Sequence, residues 1–149
     1  MTAMSVLLVP VDLSEASLGV CEHAAAIAAR LSRLAVIILY VMETEEEYAD
    51  LMAPEPRADR AAAHPAAAFD RLREPFTRRA INVDTAFCVG EVVSTILAES
   101  QKRRAELVVV GSHGRGALHS LLVGSTTAGL IRRSTIPIVV IPPQAQPAT

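Results

Sequence analysis

The sequence predicts an α/β fold: a doubly wound parallel sheet with right-handed crossovers and helices on both faces. Three observations carry this expectation. Strand-length apolar runs alternate with helix-length segments five times along the 149 residues. Three of the runs, Ser5 to Val11, Ala35 to Val41 and Leu107 to Val110, contain almost no polar break, as strands buried on both faces of a parallel sheet do. The third run stops at Gly111, and a glycine-bearing loop leads from it to a helical segment starting near Ser125. That is a strand, loop and helix in the order in which open parallel sheets carry their ligand loops.

Taken in order, Ser5 to Val11 is the first strand, and Asp12 ends it. Pro10 cannot donate to a ladder, so pairing should be finishing there. Ser14 reads as the N-cap of a helix to about Ser32, with Glu15 in its first turn and Leu18, Cys21, Ala25, Ala28 and Leu31 on its inner face. Ala35 to Val41 is the second strand. Residues 42–64 read as a surface excursion, in which four Glu between Glu43 and Glu47 form a solvated loop. Pro65 opens a second helix with Ala68, Leu72 and Phe76 inward, and Pro75 should kink or end it.

Val83, Thr85, Phe87 and Val89 alternate with Asn82, Asp84 and Ala86, which is the pattern of a half-exposed strand and places it at a sheet edge. Gly90 and Glu91 open a third helix with Val93, Ile96 and Leu97 inward; Lys102, Arg103 and Arg104 close it, in the charge order that a helix dipole prefers. The fourth strand, the glycine loop, a helix to about Arg133 and a short strand Ile138 to Ile141 complete one domain, 1–149, with 143–149 as a flexible tail.

Composition excludes several classes. The net charge of -2 gives no electrostatic reason to expect nucleic acid or an anionic membrane as partner. The apolar run Ala35 to Met42 is far too short to span a bilayer, and the first residues lack a basic stretch followed by a cleavable apolar core, so a cytoplasmic protein is expected. Cys21 and Cys88, expected on a helix and a strand, are the two cysteines and form no C-x-x-C spacing. His113 and His119 read as ordinary loop histidines, because no Asp or Cys stands at ligand spacing around them.

What remains is the loop. Gly111, Gly114 and Gly124 allow a ligand to approach the backbone. Ser125, Thr126 and Thr127 stand at a helix start, where free N–H groups and the positive end of the dipole favour an anion. Ala117 and Leu118 occupy the places where a P-loop needs Lys and Ser or Thr, and GSHGRG lacks the glycine order of a dinucleotide fold. By these residues alone, a phosphate cradle and a glycine-rich turn with nothing bound both stay open.

The spacing Gly111, two residues, Gly114, nine residues, Gly124, Ser125 resembles the G-2x-G-9x-G-[S/T] signature of the ATP-binding branch of the universal stress protein family. VLLVPVDLSEAS resembles that family's opening strand and helix start, and STIPIVVIP its closing strand. The resemblance implies a Rossmann-like five-stranded sheet in the order 3-2-1-4-5, reversing between strands 1 and 4 beside Asp12. It implies that Pro10, Val11 and Val41 line an adenine pocket, with Asp12 accepting from ribose or the adenine amino group. Val110, Gly111, Gly114, Arg115, Gly124, Ser125, Thr126 and Thr127 would hold ribose and phosphates. It also implies a homodimer paired through the last strand, whose apolar edge would otherwise stay bare.

ATP carries about four negative charges against Arg115 and His113, so Mg²⁺ is expected to accompany the phosphates. No oriented base or nucleophile emerges, with Asp12 at the adenosine end and Ser125 lacking His and Asp partners. The expectation is therefore an ATP-binding stress-response module with little or no turnover. A slow ATP hydrolase or nucleotidyl transferase, an AMP or cyclic-nucleotide binder and a nucleotide-free dimeric interaction protein stand as alternatives.

Overall fold

Apolar runs leave water most completely when they pair side by side and are then covered on both faces. The computed structural model, which describes residues 5–31, 34–54, 65–113 and 123–143, shows this arrangement. The elements follow as β1 (Ser5–Val11), α1 (Ala16–Arg30), β2 (Leu34–Met42), α2 (Glu45–Met52), α3 (Pro65–Thr77), β3 (Val83–Val89), α4 (Val92–Lys102), β4 (Ala105–Gly111), α5 (Ser125–Arg133) and β5 (Ile138–Ile141). The strands form one parallel sheet in the order β3-β2-β1-β4-β5, as the resemblance implies.

Side chains alternate across the sheet, so each strand feeds two cores. Leu7, Val9, Val36, Ile38 and Val109 pack with Cys21, Ala24, Ala25 and Ala28 of α1, Leu51 of α2, and Phe69, Leu72 and Phe76 of α3. Leu8, Ile37, Leu39, Val108 and Val110 face the opposite way, onto Ile96 of α4 and Leu130 of α5. β3 lies at an edge, as its alternation predicts: Asp84 is exposed and its other six residues are half-buried.

Five local expectations change. α1 begins at Ala16 after Glu15, with no side-chain cap: the Ser14 N–H donates to Asp12 Oδ1 at 2.9 Å, and the Ser14 hydroxyl caps nothing. Its inner face is Ser17, Val20, Cys21, Ala24, Ala25 and Ala28, while Leu18 and Leu31 are 43% and 45% exposed. The small residues allow close approach to the sheet, and the two leucines fall on the rim of that stripe.

The glutamates after β2 open a helix in place of a loop. The Thr44 hydroxyl accepts from Glu47 N at 3.1 Å, the Glu47 carboxylate accepts from Glu43 N at 3.1 Å, and Glu45 to Glu47 occupy the first turn of α2, where the dipole favours acids. In α3 it is Phe69 that is buried with Leu72 and Phe76, while Ala68 is half-buried. The helix passes through Pro75 and ends at Thr77, so the missing proline N–H removes one bond from a turn that is already closing.

That closing turn has Ile81 N donating to Phe76 O at 2.9 Å and Ala80 N to Thr77 O at 3.0 Å, with Ala80 in the left-handed region at φ 56°. Glycine is the residue usually found in such a closure. Ala80→Gly should therefore raise unfolding stability by about 0.5–1 kcal/mol, the relief of left-handed strain exceeding the entropy that glycine adds to the unfolded chain. A urea midpoint that stays put or falls would contradict this.

Candidate functional site

β1 stays in register with β2 as far as Val11 opposite Tyr40, whereas its pairing with β4 ends at Leu8 opposite Val108 after a register shift between Val6 and Leu7. β4 continues, paired with β5, until Gly111 meets Ile141. Pro10 and Val11 on one side, and Val110 and Gly111 on the other, therefore extend beyond the shared ladder at the carboxyl ends of the strands, the place of the ligand crevice in open parallel sheets. Pro10, lacking an N–H, stands where the pairing toward β4 has already stopped. Val41 lies one residue past the partner of Val11, at the same end of β2.

Asp12 follows at once. Its Oδ1 accepts from Ser14 N at 2.9 Å and from the Ser17 hydroxyl at 3.2 Å, which fixes the carboxylate at the mouth of the crevice. The turn is costly: Leu13 sits at φ 61°, and the Ser14 hydroxyl oxygen is buried without a hydrogen-bond partner.

Across the crevice the backbone is tied in three places. Ser112 N donates to Ile141 O at 2.8 Å, Gly124 N donates to Ser112 O at 2.6 Å, and the Thr127 hydroxyl donates to Gly111 O at 2.6 Å. Ser112 is itself buried, and its hydroxyl is 2.9 Å from His113 Nδ1. Gly124 precedes α5 with φ -70° and ψ 167° and supplies no side-chain cap. Ala128 N makes the first bond along the helix, to Gly124 O at 2.9 Å, so the N–H groups of Ser125, Thr126 and Thr127 have no acceptor within it. Ser125 is exposed, Thr126 half-buried and Thr127 buried.

The two described glycines of the motif differ. A Cβ on Gly111 would stand 3.0 Å from Val20 Cγ2, a tight approach to α1. A Cβ on Gly124 would meet nothing nearer than Ser112 O at 3.5 Å, and its φ suits any residue. Among the described residues nothing demands a glycine at 124, since a Cβ there would make only ordinary contacts with Ser112 and His113. Gly114, Arg115 and His119 lie outside the described residues.

The structure thus brings Pro10, Val11, Asp12, Val41, Val110, Gly111, Gly124, Ser125, Thr126 and Thr127 to one end of the sheet. Two further residues of this region carry almost no signal in the sequence. Ser17 braces Asp12 from the first turn of α1, a spacing of five that no common motif marks; Ser112 joins β5 to the residue before α5, and its only trace in the sequence is a polar residue directly after an apolar strand. Among the described residues no three His, Cys, Asp or Glu gather to hold a metal. Burial, then Glu22, pushes the Cys21 thiol up to about 12, and burial, then Glu99, raises that of Cys88, so neither supplies a thiolate near neutral pH.

The family model described as "Universal stress protein family" matches residues 4–142. A universal stress protein of Mycobacterium tuberculosis (strain ATCC 25618 / H37Rv) is 34% identical over 70 residues, 47% of this chain and 22% of that protein. The matched segment is thus less than a quarter of that curated relative's length. Among solved structures, hypothetical protein MJ0577 superposes with a TM-score of 0.76 at 21% identity, covering 97% of this chain and 100% of that one, which supports the fold. A universal stress protein solved in complex with cAMP is 25% identical with a TM-score of 0.66, covering 96% of this chain and 100% of that one.

The Asp12 turn makes its own prediction. Asp12→Ala leaves Ser14 N and the Ser17 hydroxyl without their acceptor and should cost about 1–3 kcal/mol of stability, while Asp12→Asn keeps an oxygen in place and should cost under half as much. Chemical denaturation of the pair checks it, and equal losses would mean that charge matters there more than the turn.

Proposed function

The chain belongs to the universal stress protein family, and from that premise we propose that it is a nucleotide-binding regulatory module whose crevice takes ATP with Mg²⁺ and turns it over little or not at all. The observation that carries this reading is the start of α5, where three N–H groups lack acceptors within the helix and Gly124 before them supplies no side-chain cap. Backbone donors at the positive end of a helix, with no side chain in front of them, suit a phosphate chain.

In this reading Pro10, Val11 and Val41 receive the adenine, and Asp12 accepts from a ribose hydroxyl. Val110 and Gly111 floor the crevice; Gly124, Ser125, Thr126 and the Thr127 N–H, with Gly114 and Arg115 by resemblance, take the phosphates. Mg²⁺ would arrive on the phosphate oxygens, neutralising charge that helix N–H groups offset only partly. Low turnover rests on the place of the carboxylate: Asp12, held within its own turn, belongs in this reading to the adenosine side of the site, away from the terminal phosphate.

The cAMP complex of a similar protein supports a second reading, in which a monophosphate or cyclic nucleotide is the preferred ligand. β5 pairs with β4 on one side, and Ile138, Val139 and Val140 stay half-buried, so we also propose a homodimer joined along this edge. No described helix is long and apolar enough to cross a membrane, and a cytoplasmic location fits the reading.

Mg-ATP at about 100 times its Kd should stabilise the protein by about 2.7 kcal/mol in thermal melts. Gly124→Ala should fold with stability within about 0.5 kcal/mol of the parent and lose that gain, because its methyl fills the space in front of the donors. A parent indifferent to ATP, AMP and cAMP would sink the nucleotide reading, and a larger gain with AMP or cAMP than with ATP would select the second one. Sedimentation at micromolar concentration should show a dimer; a monomer there would refute the β5 interface.

A further inference from the structure

α5 is only nine residues long, and Gly124 gives it no side-chain cap, so something else must set where its donors point. Two bonds do so: Gly124 N to Ser112 O and the Thr127 hydroxyl to Gly111 O, both 2.6 Å. A threonine inside a helix ordinarily bonds a carbonyl of its own preceding turn or faces water. Thr127 instead reaches a carbonyl sixteen residues back, the last of β4, and is 5% exposed.

The acceptor belongs to the sheet. Gly111 stands opposite Ile141 in the ladder, and a Cβ on it would come within 3.0 Å of Val20 Cγ2 of α1. The hydroxyl hydrogen of Thr127 is therefore committed to the frame and unavailable to a phosphate oxygen.

We infer that Thr127 is a positioning residue: its hydroxyl latches the first turn of α5 to the end of β4 and aims the N–H groups of Ser125, Thr126 and Thr127 into the crevice. This divides the motif into two parts. Gly111 and the Thr127 hydroxyl build the cradle, while Gly124, Ser125, Thr126 and the three N–H groups meet the ligand. The inference rests on the nucleotide reading for its ligand, and its structural half stands without one.

The test compares the parent with Thr127→Val, which keeps the shape and removes the donor, and Thr127→Ser, which restores it. In the ligand-free proteins, amide exchange at Ala128 and the first turn of α5 should be about tenfold faster in Thr127→Val and return to the parent rate in Thr127→Ser. Affinity for Mg-ATP should fall about tenfold or more in Thr127→Val, with adenosine changed by less than about twofold, because the adenosine contacts come from β1 and β2. Unchanged ligand-free exchange in Thr127→Val overturns the latch, even if ATP binding falls, since a direct phosphate ligand would give that pattern. Equal weakening of ATP and adenosine overturns the positioning role in favour of a general structural one. A parent that binds none of these nucleotides sinks the proposed function, and the role toward a ligand with it, while the exchange comparison still decides the latch. If Thr127→Val does not fold, Thr127→Ala is compared in its place.

Discussion

The early parting of β1 from β4 is the constraint on which the rest depends. β1 is the strand about which the chain reverses direction across the sheet, with β2 and β3 to one side and β4 and β5 to the other. Had the two central strands stayed paired to their ends, Asp12 and Gly111 would leave the sheet side by side with nothing between them. Because the ladder stops at Leu8 while β4 runs on to Gly111, the last residues of the two strands are released from pairing with each other, at the end where open parallel sheets hold their ligands. The crossovers then put α1 on one face and α5 on the other, so the crevice has walls from both cores.

The strands are legible in the sequence because they are buried on both faces: a short apolar run with no polar break, bounded by turn residues, fits little but a central strand. The edge position of β3 is legible for the opposite reason, a pattern that alternates. The order of strands is not, since it depends on contacts between residues far apart in the chain, and here it comes from the resemblance. Leu18 and Leu31 mislead because apolar size is a poor marker of the inner face of α1. Close packing on the sheet instead selects Ala, Cys and Ser, and leaves the larger side chains at the rim. The helix over Glu45–Met52 is hidden by its charge, although Thr44 and Glu47 have the spacing of a reciprocal cap.

The site is legible as a set of residues and illegible as a division of labour. Nothing in a spacing of glycines says which one is required by a neighbouring helix and which one leaves room for a ligand. Only the tight approach of Gly111 to Val20 and the ordinary contacts that a Cβ at Gly124 would make among the described residues separate them. Nor does a run of Ser, Thr and Thr say which hydroxyl the protein keeps for itself. Side-chain oxygens that serve the frame and those that serve a ligand are chemically identical, and burial decides between them.

The distribution of strain supports this separation. Three described residues other than glycine have positive φ: Leu13, Ala80 and Arg104. Ala80 and Arg104 follow α3 and α4, where a left-handed residue closes the helix and frees no polar group. Leu13 closes nothing. It lies between a strand and a helix, beside a buried hydroxyl with no partner, and the turn it shapes delivers two donors to Asp12 Oδ1. A chain under selection for stability alone would relieve both costs with a glycine at 13 and an alanine at 14. The arrangement makes physical sense if the carboxylate must be held in one orientation at the crevice before anything arrives, so that little ordering is left to oppose binding. The Thr127 latch does the same for the N–H groups on the opposite wall, and the two walls are thus fixed independently, one from β1 and the other from β4.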